Sequence, residues 1–571
     1  MLKIVSKKFI ILILFSITSL VCAEDIIKVN NENEFFNENL PAKISTATTE
    51  FIYKFLLAEI ASQRGDLNSA GHIYLDLAKL TKNIPLAERA TRIAGSARNG
   101  RLAMDSANVW QKLDKTSTEP KRILAELFIT SGNLAKARPL VKELLKQEEQ
   151  TRAEGFLYLN KILSQVENKK NALRFILDIS KPYLELPEAR FAVAHAAYSA
   201  GDKKMALKEL DKIESLNSKW ETAALFRGYI IGKEWPEKAL AFYQDFLRKN
   251  PKSNEVRLEY AKSLTSLRDY DAAKKQFLKL VNSSLASPEI SLTVALLSIE
   301  LNDKDLAETY LNQALERGYE NPPQIFIYLA KIYFERDKFK DAILYLDKIK
   351  SGEFFLESKL LAAQFISEKE SIDNAITSFE EFKNLSEEER LQILQFKTSL
   401  LYSNDRETES LDLMKKEENN FQDSPNFKFD YAMLSDRLGN TILSEQLLKE
   451  AIKLKPDYAL AYNALGYSYA DRNYKLNEAK KYIEIALSIQ PRNHYILDSM
   501  GWVYFRLGDL NLALQFVKKA FAIQEDPEIA AHLGEILWKQ GKKEEAKKIL
   551  INSLKKYPDN AIVSETQNRL K

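Results

Sequence analysis

A small residue recurs every 33 to 35 positions along almost the whole chain, a rhythm that few folds can accommodate. The positions are Ala70, Ala103, Ala137, Ala172, Ala206, Ala239, Ala273, Ala307, Ala342, Ala375, Ser410, Ser444, Ala479, Ala513 and Ala546, each followed by an apolar residue four places on and, except after Ser410 and Ala546, by another seven places on. A second ladder runs about a dozen residues upstream, at Ala58, Ala125, Ala194, Ala261, Ala295, Ala330, Ala363, Ala432, Gly466, Gly501 and Gly534. Between the ladders stand turn residues such as Gly65, Gly132, Gly201, Gly439, Gly508 and Gly541. Pro251, Pro456, Pro491 and Pro558 close their units, because proline cannot continue a helix.

Each unit is therefore predicted to be two helices joined by a short turn. Small residues on both ladders let the helices approach, while Tyr243, Phe277, Leu346 and Phe379 fill the space between successive hairpins. One hairpin cannot bury its apolar face alone, so neighbours must stack. Composition agrees: 45% of residues are hydrophobic, and only 17 Gly and 16 Pro interrupt 571 positions. The spacing, with its Leu-Gly-x-x-Tyr, Ala, Phe and Pro marks, is the tetratricopeptide pattern. It is clearest in Ala464-Leu465-Gly466-Tyr467-Ser468-Tyr469. The expected fold is all-α, a tetratricopeptide-repeat (TPR) right-handed superhelical solenoid of about 15 helical hairpins.

The predicted organisation is a signal peptide at 1–23, a disordered tether at 24–48, an N-terminal and central array at 49–385, an irregular weak repeat at 386–424, and a C-terminal array at 425–571. In the weak repeat, acidic runs (Glu387-Glu388-Glu389 and Glu417-Glu418) coincide with missing alanines. The leader has a basic start at Lys3, Lys7 and Lys8 and an apolar stretch from Phe9 to Val21, too short to span a bilayer. Val21-Cys22-Ala23 suits cleavage after Ala23, which predicts a periplasmic protein. Cys22 also stands where a lipoprotein signal places its acylated cysteine, although Ser19-Leu20-Val21 departs from the usual sequence before it. An outer-membrane lipoprotein anchored at Cys22 is the alternative, and a membrane is a partner only in that case.

Function classes narrow by charge and by missing chemistry. Removing Lys3, Lys7 and Lys8 with the leader leaves 80 basic against 80 acidic residues, without the basic surplus of a nucleic-acid binder. The four histidines, His72, His195, His494 and His532, lie in separate repeats without paired spacing, so neither a metal nor another cofactor is expected. No phosphate loop or nucleophile turn occurs, and the protein reads as no enzyme.

A binding wall is expected instead, on the first helix of each unit. Taking Gly466, Gly501 and Gly534 as equivalent points, the wall of the last three units holds Asn463, Tyr467, Tyr495, Asp498, Trp502, Phe505, Glu535 and Trp538. Tyr467, Trp502, Phe505 and Trp538 would project into one groove suited to a peptide or a docked helix. The same aromatics could instead be core, as Trp110 and Phe246 are by position. Trp502 and Trp538 favour the groove because Met500, Tyr504, Ala513 and Val517, then Leu533, Leu537, Ala546 and Leu550, already fill the packing positions of their units.

Both ends of the chain resemble the LbcA-like group of exported tetratricopeptide proteins. The resemblance rests on Ala58-Glu59-Ile60-Ala61, Gln63-Arg64-Gly65 and Pro85-Leu86-Ala87-Glu88-Arg89-Ala90-Thr91-Arg92-Ile93-Ala94. It continues in Ala464-Leu465-Gly466-Tyr467, Ala470-Asp471-Arg472, Ile496-Leu497-Asp498-Ser499-Met500-Gly501-Trp502 and Ala531-His532-Leu533-Gly534-Glu535. It implies an adaptor that scaffolds a periplasmic carboxyl-terminal processing protease with peptidoglycan hydrolase substrates. The competing reading is a scaffold for assembly or export of envelope polysaccharide or outer-membrane components.

Overall fold

Helix starts are written into the sequence as caps. Asp66, Asn133, Asp202, Asp303, Asn440 and Asp509 each accept a hydrogen bond from a backbone amide in the first turn of the helix that follows. Pro85, Pro187, Pro288, Pro425 and Pro527 occupy first-turn positions, where a missing N–H costs nothing. Turns use the left-handed region: Gly508 and Gly541 have φ of 87° and 81°, and Asn473 takes φ 53° in the preceding hairpin. A computed structural model describes residues 49–570 except 381, 383 and 384. The leader expected at 1–23, with Cys22, and the tether expected at 24–48 lie outside the described residues.

The described residues form helices and no strands, in two compact units that divide between Leu267 and Arg268. The first unit contains α1 (Thr49–Gln63), α2 (Leu67–Thr81), α3 (Ile84–Ser96), α4 (Gly100–Leu113), α5 (Glu119–Thr130), α6 (Leu134–Gln147), α7 (Arg152–Leu163), α8 (Lys169–Ser180), α9 (Pro187–Ser199), α10 (Lys203–Leu216), α11 (Glu221–Gly232), α12 (Pro236–Lys249) and α13 (Asn254–Ser266). The second contains α14 (Tyr270–Leu280), α15 (Pro288–Glu300), α16 (Lys304–Glu316), α17 (Pro322–Glu335), α18 (Phe339–Asp347), α19 (Phe355–Lys369), α20 (Ile372–Thr377), α21 (Glu387–Tyr402), α22 (Glu407–Glu417), α23 (Pro425–Arg437) and α24 (Thr441–Leu454). It ends with α25 (Ala459–Asp471), α26 (Leu476–Ile489), α27 (His494–Leu507), α28 (Leu510–Ile523), α29 (Pro527–Lys539), α30 (Lys543–Lys556) and α31 (Ala561–Arg569).

All fifteen small markers fall on even-numbered helices, the second of each pair, and all are buried. The upstream ladder falls on odd-numbered helices, also buried. Tyr243, Phe277, Leu346 and Phe379 are core side chains, as are Trp110 and Phe246. The fold is a tetratricopeptide-type solenoid.

Residues 386–424 hold the hairpin α21–α22 and a short 3-10 turn at Glu418–Asn420. Polar residues stand on its ladders: Thr398 and Ser410 are buried, and the Ser410 hydroxyl donates to the Thr398 carbonyl at 3.0 Å. A capping box starts α21, since Ser386 accepts from the Glu389 amide while the Glu389 carboxylate accepts from the Ser386 amide at 2.8 Å. Ser386→Ala is expected to destabilise this hairpin by about 1 kcal/mol. Amide exchange of α21 would show it, and unchanged protection would mean the cap contributes nothing.

A candidate partner-binding wall on the last three hairpins

Three first helices, α25, α27 and α29, pack side by side. Arg506 on α27 ties the first two, its guanidinium donating to the carbonyls of Ala470 at 3.1 Å and Asp471 at 2.8 Å in the last turn of α25. Tyr467 on α25 reaches past α27 to α29, where its hydroxyl donates to Glu528 at 2.9 Å and lies 3.5 Å from His532 Nε2. His532 Nδ1 lies 2.8 Å from Asp498 Oδ2 on α27. The Trp502 ring stacks on His532 at 4.1 Å and 21°, and on Phe505 at 4.9 Å and 25°.

Burial works against a charge on His532, but the Asp498 carboxylate outweighs it, helped by Glu528 and Asp471, and raises the imidazole above its ordinary value. Burial also pushes the Tyr467 phenol far up, with the charges of Glu528 and Asp471 adding to it, so the hydroxyl stays a neutral donor.

The structure brings Asn463, Tyr467, Asp498 and Trp502 onto this wall, but it corrects the expectation that the aromatics project into an open groove. Asp498 and Trp502 are each only 5% exposed. Of the packing positions of these units, Met500, Ala513, Val517, Leu533, Leu537, Ala546 and Leu550 are buried, while Tyr504 is half-buried. Trp502 is covered all the same, because His532 of the next first helix lies flat on its ring. Tyr467, Phe505 and Trp538 are half-buried, with Phe505 and Trp538 packed against the apolar core of α28 to α30. Lys543 lies over the Trp538 ring at 4.8 Å. Glu535 pairs with Arg569 of α31. Tyr495 is the wall aromatic that remains open, at 51% exposed.

His532 and Glu528 complete the wall and were not among the predicted site residues. A signal was present: Asp498 and His532 stand 34 positions apart, one repeat, which makes them neighbours on adjacent first helices. Asp498 Oδ1, Asn463 Oδ1 and Trp502 Nε1 are buried and have no hydrogen-bond partner among the described residues. The described residues also contain no group of three or more His, Cys, Asp or Glu placed to hold a metal, and no helix long and apolar enough to cross a membrane.

Stacked hairpins with a shared wall define the tetratricopeptide-type fold, and tetratricopeptide repeats are recognised in the chain itself. Tetratricopeptide-repeat models match residues 495–527 and 532–560. A TPR repeat-containing protein of Pseudomonas aeruginosa is 26% identical over 497 residues, covering 87% of this chain and 84% of that protein. Among solved structures, a thermophilic TPR protein of Thermus thermophilus is 22% identical, covers 30% of this chain and 93% of its own, and gives a TM-score of 0.28. The structure of Naa15/Naa10 bound to HypK-THB is 16% identical, covers 87% and 93%, and gives 0.29. Repeats of this kind form protein–protein interaction scaffolds and indicate no enzymatic family.

Proposed function

We propose that this protein is an exported, non-enzymatic adaptor that holds a carboxyl-terminal processing protease close to peptidoglycan hydrolase substrates in the periplasm. The observation that carries the reading is the occupation of residues 49–570 by hairpin after hairpin, which leaves broad walls as recognition surfaces. Such a surface acts by effective concentration: two proteins held on one array meet at far higher local concentration than in free solution. Export rests on the leader-like sequence, and the partner class rests on the resemblance at both ends of the chain.

Two surfaces suit protein partners. Tyr495 offers a rigid aromatic beside the clustered wall. On α1, Ile52, Tyr53, Leu56, Leu57 and Ile60 are all more than two-fifths exposed and share one helix face. Tyr495→Ala is expected to change stability by no more than about 0.5 kcal/mol and to weaken partner capture about tenfold. Capture measured beside a melting curve checks both, and unchanged capture would remove Tyr495 from the interface.

The decisive experiment is a pull-down of Glu24–Lys571 from envelope extract with mass spectrometry of what stays bound. Recovery of a carboxyl-terminal processing protease with peptidoglycan hydrolases supports the adaptor. Recovery of synthesis or export components alone overturns it in favour of an assembly scaffold.

A further inference from the structure

Hydrogen-bond direction constrains the protonation of the cluster between α25, α27 and α29. Tyr467 gives its hydroxyl proton to Glu528, so toward His532 Nε2 it can offer only a lone pair. His532 Nδ1 faces a carboxylate oxygen of Asp498. Both ring nitrogens thus face acceptors, which suits the imidazolium; a neutral ring would set one lone pair against another. The imidazolium also lies on the Trp502 face, where a cation is attracted by the ring.

We propose that His532 is a pH-sensitive clasp, which as an imidazolium ties α25, α27 and α29 together over Trp502 and Asp498 and on losing its proton frees that wall. The functional consequence rests on reading the wall as a partner-binding surface. Tyr467 and Glu528 lie 61 positions apart, nearly two repeats, so the clasp restrains a hairpin against the next but one. The charged groups around the ring are Asp498 on α27, Asp471 at the end of α25 and Glu528 on its own helix. Arg506 on α27 sits 5.8 Å from the Trp502 ring, and α31 meets α29 through Arg569 and Glu535. Without the imidazolium the three carboxylates lose their central cation. The wall that opens would present Asp498 Oδ1, Asn463 Oδ1 and Trp502 Nε1, two acceptors and a donor that amides of an extended peptide can satisfy.

The sign follows from the raised imidazole. A histidine favoured in its charged form contributes its full stabilisation below its unfolded value of about 6.5, and that contribution is lost as pH rises through the higher folded value. The clasp is therefore closed at mildly acid pH and opens on the alkaline side of about pH 6.5.

Tryptophan fluorescence of the full chain, titrated from about pH 5 to 9 across the histidine range, tests this directly, since a stacked imidazolium quenches the indole. Emission is expected to rise in one step with a midpoint above about pH 6.5, and the step should vanish in His532→Gln and in Trp502→Phe. Asp498→Asn keeps the side-chain shape and should move the midpoint down. Amide exchange of α29, corrected for its intrinsic pH dependence, should accelerate about tenfold across the same step, the mark of a population shift. No step, a step that survives in His532→Gln, or α29 protection independent of pH would overturn the clasp. Neither readout needs a partner, so failure here leaves the adaptor reading to stand or fall on the pull-down.

Discussion

Gly501→Ala is expected to destabilise the last hairpins by about 1–3 kcal/mol, opposite to the sign that helix propensity alone gives. In an open helix alanine is better than glycine by about 1 kcal/mol. At Gly501 the added methyl would lie 2.3 Å from Val517 Cγ2 and 3.1 Å from both the Ala513 carbonyl oxygen and the Val517 nitrogen. Val517 is fully buried, its branched side chain has one strongly favoured rotamer in a helix, and the other two atoms are α28 backbone. Relief therefore requires α27 to move off α28. Gly466 is similar, with the Ile483 side chain at 2.6 Å and the Ala479 carbonyl at 2.8 Å. At Gly534 the nearest atoms are those of the Leu550 side chain, at 3.0 Å and beyond, so its alanine variant should be the mildest of the three. A repeat array need not unfold in one step, so amide exchange of α25 to α30 in each variant is the appropriate measure. Equal or greater protection in Gly501→Ala would show that the two helices do not need this close approach.

These glycines belong to what was legible in the sequence. Contact between the helices of one hairpin repeats every unit, so the pattern that builds it repeats in the chain, from Ala70 to Ala546. Ser410, a serine where most units have alanine, follows from the spacing, whereas its hydrogen bond to the Thr398 carbonyl does not. The wall was harder to read. Which of its side chains are covered depends on how closely successive first helices lie, and no single repeat encodes that. Trp502 occupies a wall position in its unit, yet His532 from the next unit covers it. Tyr467 closes over the same cluster from the unit before. The spacing of histidines speaks to metals, which need several ligands together; the pairing of His532 with Asp498 one repeat away is a different signal, carried by the repeat length. Tyr495, near the start of α27, lies outside this coverage and stays exposed.

Trp502→Ala is expected to destabilise the array around α25 to α29 by about 3–5 kcal/mol, the range for removing a buried large aromatic. A groove position for Trp502 implies little effect of its loss on melting, and its burial reverses that expectation. The indole lies between His532 and Phe505, with Arg506 beside it, so truncation leaves a cavity and uncovers the Asp498–His532 pair. Water entering there would weaken that ion pair as well, because the attraction depends on a local environment less polar than water. Trp538→Ala should have a smaller effect, since that ring is only partly buried to begin with. Trp502→Phe retains a stacking surface and should recover most of the loss. Urea unfolding followed by amide exchange of α27 and α29 distinguishes these variants. Protection in Trp502→Ala within about 0.5 kcal/mol of the parent would return Trp502 to the role of an exposed contact. With the expected loss, failure of Trp502→Ala to capture a partner would report a collapsed wall, so the test of direct contact falls to Tyr495, whose removal leaves the packing intact.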